Sequence, residues 1–418
     1  MTAPIRARDC SAGATDRVLS VDTATAMVNG MAGPITESEL VGLLDGVGRV
    51  LALPVVSEVD LPSFDNSAMD GYAIGGGAMA ANDARSFRIA GRIPAGSDAP
   101  LSLAVGTAAR IFTGAPIPQG CTAVVMQERC HVDGEFVVID GKPSPGSNIR
   151  RKGEYVARGA TLFCEGRVLA PQDVTLLAAS GIAGIPVLRR VRAGILTTGD
   201  ELIEPGAPLR HGRIYNSNRI MVQAALRGLP WIECRDVGSV PDDRSLLRRA
   251  MSEALQDLDV LVTTGGVSAG EEDHVTDLLA ELGGRWHGMK VAMRPGKPLK
   301  FGTLGTKLIF GLPGNPNAAF VTFRKFVLPA LRVLAGANGQ ATIRKGLANF
   351  TYRKKLGRTE FVPVRAAAAT AGDVPILEML GVGSSADVSA MAWADGLAEL
   401  HADAEVIRPG DTLEYDPF

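Results

Sequence analysis

Three stretches of this sequence combine residue types and spacing that suit the handling of anions. The first is Val260-Leu-Val-Thr-Thr-Gly-Gly-Val-Ser-Ala-Gly270, followed by Glu271-Glu-Asp-His274. It reads as a buried strand, the Gly265-Gly266 turn and then a helix. Glycines let backbone N–H groups approach a ligand closely, and a helix N-terminus favours an anion. The turn is neither G-x-G-x-x-G nor a Walker loop, so it does not specify a dinucleotide or ATP. A plain strand–helix turn explains the glycines equally well. The second stretch, Leu196-Thr-Thr-Gly-Asp-Glu-Leu202, closes another strand with adjacent carboxylates. Asp242 and Asp243 open a helix after the next strand, and Asp273 opens the helix after the Gly-Gly turn. Glu201, Asp242 and Asp273 thus fall at the carboxyl ends of strands in one sheet. Carboxylates on one edge suit Mg²⁺, which takes a few of them and fills its shell with water and phosphate oxygens. Taken singly, each acid is explained as a helix cap or first-turn residue.

The third stretch is Lys290-Val-Ala-Met-Arg-Pro-Gly-Lys-Pro-Leu-Lys300, with four cations in eleven residues broken by Pro-Gly. A fixed turn presenting Lys290, Arg294 and Lys297 could hold phosphates or an oxyanion, although a solvated loop has the same composition. Gly311-Leu-Pro-Gly-Asn-Pro316, containing Pro313, is a further rigid turn at a strand end. Asp65, Ser67, Asp70 and Thr113 sit at polar turn tips that Asx-type turns account for without chemistry.

These residues need a frame. Residues 191–334 alternate strands and helices: strands at Ala193–Thr198, Trp231–Val237, Asp259–Thr264 and Lys307–Phe310, and helices at Asn218–Arg227, Asp242–Leu255, Glu271–Leu282 and Asn317–Leu334. That alternation predicts a doubly wound parallel sheet, an α/β domain whose ligands bind where strands end. Short runs such as Ser86–Ile89 and Phe136–Ile139, between Gly and Pro clusters, predict a small β domain at 57–141. A connector is expected from 1–56 together with 142–190. Its second part holds a helix with Pro171 in the first turn, Asp173 near the positive dipole end and Gly181 as the stop. Val18–Leu53 shows mixed helical spacing broken at Gly33-Pro34. A second small β domain is expected at 335–418.

Composition bounds the partners. The 418 residues carry 43 Lys+Arg against 45 Asp+Glu, and aromatics are only 5%, which disfavours a dedicated nucleic-acid binder. The longest uncharged run, Ile111 to Gln127, contains prolines and glycines and is too short for a membrane span. With no apolar signal core near the N-terminus, a cytosolic protein is expected. Five cysteines with no C-x-x-C pair argue against a disulfide framework or a four-ligand zinc site.

Seven motifs occur in order: S-A-M-D-G-Y-A from Ser67, T-G-A-P-I-P from Thr113, N-I-R-R-K-G-E from Asn148, T-T-G-D-E-L from Thr197, T-G-G-V-S-A-G-E-E-D from Thr264, R-P-G-K-P from Arg294 and G-L-P-G-N-P from Gly311. Together they resemble the molybdopterin molybdenumtransferase family, the MoeA proteins and the gephyrin E domain, over nearly the whole chain. The resemblance implies molybdenum insertion from molybdate into adenylylated molybdopterin, with release of the cofactor and AMP, using a divalent cation, usually Mg²⁺. It implies an elongated four-domain homodimer whose cleft is shared between subunits. The implied catalytic residues are Asp70, Thr113, Glu201, Asp242 and Asp273, the last three as metal ligands. The implied substrate-binding residues are Gly265, Gly266, Ser268, Lys290, Arg294, Lys297, Pro313, Arg365 and Ser384. Asp70 and Thr113 would reach the sheet domain of the partner subunit, and an adenylyltransferase would supply the substrate.

The chain departs from the family at three places. His274 stands where relatives often have Tyr. Ala394-Asp-Gly396 replaces the usual A-N-G. In Glu360-Phe-Val-Pro-Val-Arg365, Pro363 stands where relatives often carry an oxyanion-binding Arg, and Arg365 could substitute from the same strand face. A molybdopterin adenylyltransferase is an alternative with a similar sheet domain, but it would need neither 57–141 nor the C-terminal β domain. A non-catalytic pterin-binding or scaffolding relative is the other alternative.

Overall fold

Strands buried on both faces set the centre of this molecule. The computed structural model describes residues 18–76, 86–97, 102–265, 274–339, 342–367, 374–381 and 384–418. Val260–Thr264 is buried at every position, and Val191–Thr198 at all but one. Period-two alternation sends Val191, Ala193, Ile195, Val260 and Val262 to one core, and Leu196 and Leu261 to another. The six-stranded sheet runs Ile232–Val240, Val191–Thr198, Val260–Thr264, Lys307–Leu312, Lys300–Leu304, Arg285–Gly288. The first four strands are parallel. The last two are antiparallel, so the sheet is mixed rather than wholly parallel. They flank the charge-rich turn; Lys300, read there as part of the charge run, is a 5% exposed strand start.

Helices cover both faces. Ser217–Arg227 is capped by the Asn216 side chain, which accepts from Arg219 N, and Arg244–Asp257 by Asp243. His274–Glu281 carries Val275, Leu278 and Leu279 into the second core. The expected helix at 317–334 runs as Pro316–Thr322, a π-turn at Phe323–Val327 and Leu328–Leu334. Pro329 accounts for the break, because it donates no N–H to the preceding turn.

A second six-stranded sheet lies C-terminal to this one. Thr359–Ala367, Ile376–Met379, Arg344–Ala348, Thr412–Pro417 and Gly396–Leu400 close on themselves through pairing of the first with the last, forming a small barrel. Met293–Arg294 adds to it in parallel, so the cationic segment joins sheet domain to barrel. A third six-stranded sheet runs Cys121–Met126, Gly71–Gly75, Thr107–Ile111, Ser86–Ile93, Phe136–Ile139, Cys130–Asp133. At the N-terminus, Val21–Met31 is a helix, but Ser38–Gly42 is a strand paired with Gly184–Leu188. The mixed spacing up to Leu53 therefore belonged to a helix only before Gly33. Among the described residues no helix is long and apolar enough to cross a membrane.

Candidate functional site

The parallel strands end at a cleft of about 670 Å³, lined by Thr198, Glu201, Asn218, Gly265 and Pro313 among others. Each side chain is placed by an element end. Thr198 closes one strand, and its hydroxyl donates to Asp242 Oδ1 at 2.6 Å. The other Asp242 oxygen accepts Asp200 N–H at 3.3 Å. Glu201 folds back over Gly199, where an added Cβ would meet Glu201 Oε2 at 2.6 Å. Gly265 adopts φ +89, and a Cβ there would lie 2.0 Å from the Thr198 carbonyl oxygen, so only glycine fits. Asn218, 8% exposed, donates its amide to Gly314 O at 2.7 Å and Thr264 Oγ1 at 3.2 Å. Its buried Oδ1 has no partner among the described residues.

A second cavity, of about 690 Å³, adjoins the first and shares Pro298, Pro313 and Asn315 with it. Arg294, Lys297, Lys355, Arg358, Ser384 and Ser385 give it its polar lining. Ser385 is fixed by Asn315 Nδ2, which donates to its hydroxyl at 2.9 Å. Behind this cavity Glu360, 1% exposed, pairs with Arg358 at 2.8 Å and stands 3.5 Å from Arg294. Burial, with the Glu360 charge beside it, pushes the Tyr352 phenol above its ordinary pKa.

Three family models cover most of the chain: the MoeA N-terminal region (domain I and II) over residues 19–181, a probable molybdopterin binding domain over 194–333, and the MoeA C-terminal region (domain IV) over 345–418. The molybdopterin molybdenumtransferase of Haemophilus influenzae is 34% identical over 92% of this chain and 94% of its own length. The chain belongs to the molybdopterin molybdenumtransferase family. The Bacillus subtilis molybdopterin molybdenumtransferase is 33% identical over 91% of this chain and 88% of its own. The solved structure of the Pyrococcus horikoshii MoeA protein is 29% identical, superposes with a TM-score of 0.81, and covers 96% of this chain and 100% of its own. The fold is therefore the multidomain MoeA fold.

In this family member the N-terminal motifs lock onto one another. Asp70 Oδ1 accepts both the N–H and the hydroxyl of Thr113 at 2.8 Å, joining the first motif to the second. Those bonds, the backbone one foremost, hold the Asp70 carboxyl below its ordinary range. Asp65 binds Arg151 at 2.6 Å and Lys152 N–H at 2.8 Å, docking the third motif under the first. Asn148, at φ 54, makes the bend and anchors to Val124 O at 2.9 Å. Asp70 and Thr113 are thus brought to each other, but they line neither cavity of their own chain.

The remaining candidates divide. Glu201, Gly265 and Pro313 line the first cavity, and Asp242 reaches it through Thr198. Arg294, Lys297 and Ser384 line the second. The Lys290 carbonyl accepts Leu19 N–H at 3.0 Å, and the residue is not among the described lining of either cavity. Gly266, Ser268 and Asp273 lie outside the described residues. Arg365 is exposed, stands in register with Glu378, and is absent from both described linings. Pro363 instead borders a recess of about 20 Å³, room for roughly one water. Asn218, Arg358 and Glu360 join these sites without any motif that marks them in the sequence. Asn218 reads as an ordinary helix start, and only the Arg358, Glu360 spacing of two hinted at a shared direction.

The donor set is compatible with Mg²⁺. Among the described residues no three His, Cys, Asp or Glu side chains form a metal cage. Glu201 lines the cleft and Asp242 bonds to the Thr198 hydroxyl at its edge, a sparse acid set that suits an ion taking few protein ligands and sharing substrate phosphates.

Proposed function

We propose that this chain transfers molybdenum from molybdate into adenylylated molybdopterin, releasing molybdenum cofactor and AMP, as a Mg²⁺-dependent cytosolic homodimer. Family membership supports the coarser part, a transferase acting in molybdenum cofactor biosynthesis. The observation that carries the finer part is the pair of adjoining cavities, one lined by the Glu201 carboxylate and by Asn216 and Asn218, the other cationic, with Pro298, Pro313 and Asn315 in common. Carboxylate suits a pterin phosphate only through a bridging cation such as Mg²⁺, whereas an oxyanion is held by cationic side chains directly.

The chain's own groups suit these tasks. The close-set backbone at Gly265 lets a ligand approach the strand end. Arg294, Lys297 and Ser384 offer charge and hydroxyl to an oxyanion, holding it while the dithiolene sulfurs of the substrate become its new ligands. Glu201 and Asp242, with Asp273, would hold Mg²⁺, which when bound neutralises phosphate charge. Asp70, half-buried, and Thr113, exposed, are fixed to each other in one protomer and would complete the other protomer's cleft.

The scaffolding alternative draws on Pro363, which offers no charge to molybdate. The cations already lining the second cavity weigh against it. The deciding experiment supplies adenylylated molybdopterin, molybdate and Mg²⁺, then scores the product by activation of a cofactor-free molybdoenzyme. Activation that requires this chain supports the reading; none, with every substrate present, refutes it.

A further inference from the structure

Glu360 is nearly solvent-free at 1% exposure, yet it carries a charge beside a cationic cavity. Its Oε1 accepts the Nε–H of Arg358 at 2.8 Å and is ion-paired with Nη2 at 2.8 Å. Its Oε2 accepts the Tyr352 hydroxyl at 2.9 Å, with Arg294 Nη1 3.5 Å from the same oxygen. Backbone pairing dictates this convergence. Arg294 is the register partner of Glu360 where Met293–Arg294 runs parallel to Thr359–Ala367. Arg358 stands two residues earlier, at the entry to that strand.

A carboxylate taken from water is costly unless paired. Arg358 and Arg294 give the 690 Å³ cavity a positive lining and keep 35% and 44% of their side chains exposed. Lys297 and Lys355 add to it, and no Asp or Glu lines it among the described residues. The Arg358 fork is half engaged: Nε and Nη2 serve Glu360, leaving Nη1 donors for a ligand.

We propose that Arg358 supplies the oxyanion contact that Pro363 cannot, and that Glu360 is the positioning residue holding Arg358 and Arg294 for it. The inference rests on the oxyanion half of the functional reading and replaces the expectation for Arg365. The ligand is a tetrahedral dianion, held by guanidinium and Ser384 or Ser385 hydroxyl donors rather than by a strand arginine.

Equilibrium binding of molybdate to the full chain tests it, with Arg358→Ala, Arg358→Lys, Glu360→Gln, Glu360→Asp and, as the competing assignment, Arg365→Ala. Arg358→Ala and Glu360→Gln should weaken molybdate about tenfold or more, as loss of a charge-assisted contact does. Glu360→Asp should recover part of that. In turnover the KM for molybdate should rise while the KM for the pterin substrate holds, a split that general unfolding does not produce. Should Glu360→Gln fail to fold, the two Arg358 variants carry the test. Undiminished binding by Arg358→Ala overturns the proposal, as does a loss confined to Arg365→Ala. A wild type that binds no molybdate overturns it too, and AMP release then shows whether the functional reading falls with it.

Discussion

Asp242 and Asp243 are sequence neighbours with separable roles, and the difference lies in what each oxygen faces. Asp243 Oδ1 accepts Ser245 N–H and Leu246 N–H at 2.9 Å, capping its helix. The Ser245 hydroxyl, with those N–H groups, holds the Asp243 carboxyl below its ordinary range. Asp242 turns instead to Thr198 at the cleft. Asp243→Ala should therefore lower the melting temperature and spare cation-dependent turnover, whereas Asp242→Ala should abolish that turnover with a far smaller change in melting. Thermal melts beside Mg²⁺ titrations of both variants check this. Equal loss of turnover in the two would remove the distinction. The sequence presents both acids at one helix start, and nothing in their types says which one caps. Backbone direction decides that, and it is a property of the folded turn.

At the level of elements, buried strands and capped helices were legible because burial on both faces leaves long apolar runs. Ala193–Thr198 was anticipated within the observed Val191–Thr198, and Phe136–Ile139 matches residue for residue. The strands Arg285–Gly288 and Lys300–Leu304 were not, since they are short and carry charge at their starts. Of the site, the strand-end acids and the cationic turn were readable by type, while Glu360 was hidden because its partners meet only through barrel pairing. Two element-level outcomes follow. Gly265→Ala places a methyl against the Thr198 carbonyl at positive φ, costing about 1–3 kcal/mol. Activity should fall beyond what the melting shift explains, and unchanged kinetics in the folded variant would show the strand end is not a ligand surface. Asp173, 3% exposed, accepts from Arg167 and reaches back to Ala170 N–H at 2.9 Å. The Arg167 bonds foremost draw its pKa down from 3.8. A lowered carboxylate stabilises fully above its unfolded value, and the gain is lost as pH falls through the folded one. Asp173→Asn should thus cost about 0.5–2 kcal/mol near neutrality. That difference should shrink below about pH 4. Denaturant unfolding of both proteins across pH gives the comparison, and a gap that widens in acid would contradict the sign.

For the whole molecule, the account depends on two subunits sharing a cleft. Asp70 and Thr113 are fixed to each other yet line neither cavity of their own chain. In the proposed homodimer Asp70 of one chain faces Asp273 of the other. Asp70→Ala and Asp273→Ala homodimers should each be inactive, and subunit exchange between them should restore activity by creating one intact cleft. Light scattering confirms the dimer in the same samples, and exchanged dimers without activity would place both acids in one chain's site. The central claim concerns the reaction itself. It is tested most directly by AMP release from adenylylated molybdopterin, with Mg²⁺ present, in the presence and absence of molybdate. The account predicts AMP release that requires this chain, rises with molybdate to saturation, and matches the cofactor formed one for one. AMP release that ignores molybdate, or none at all from intact dimer, would contradict it.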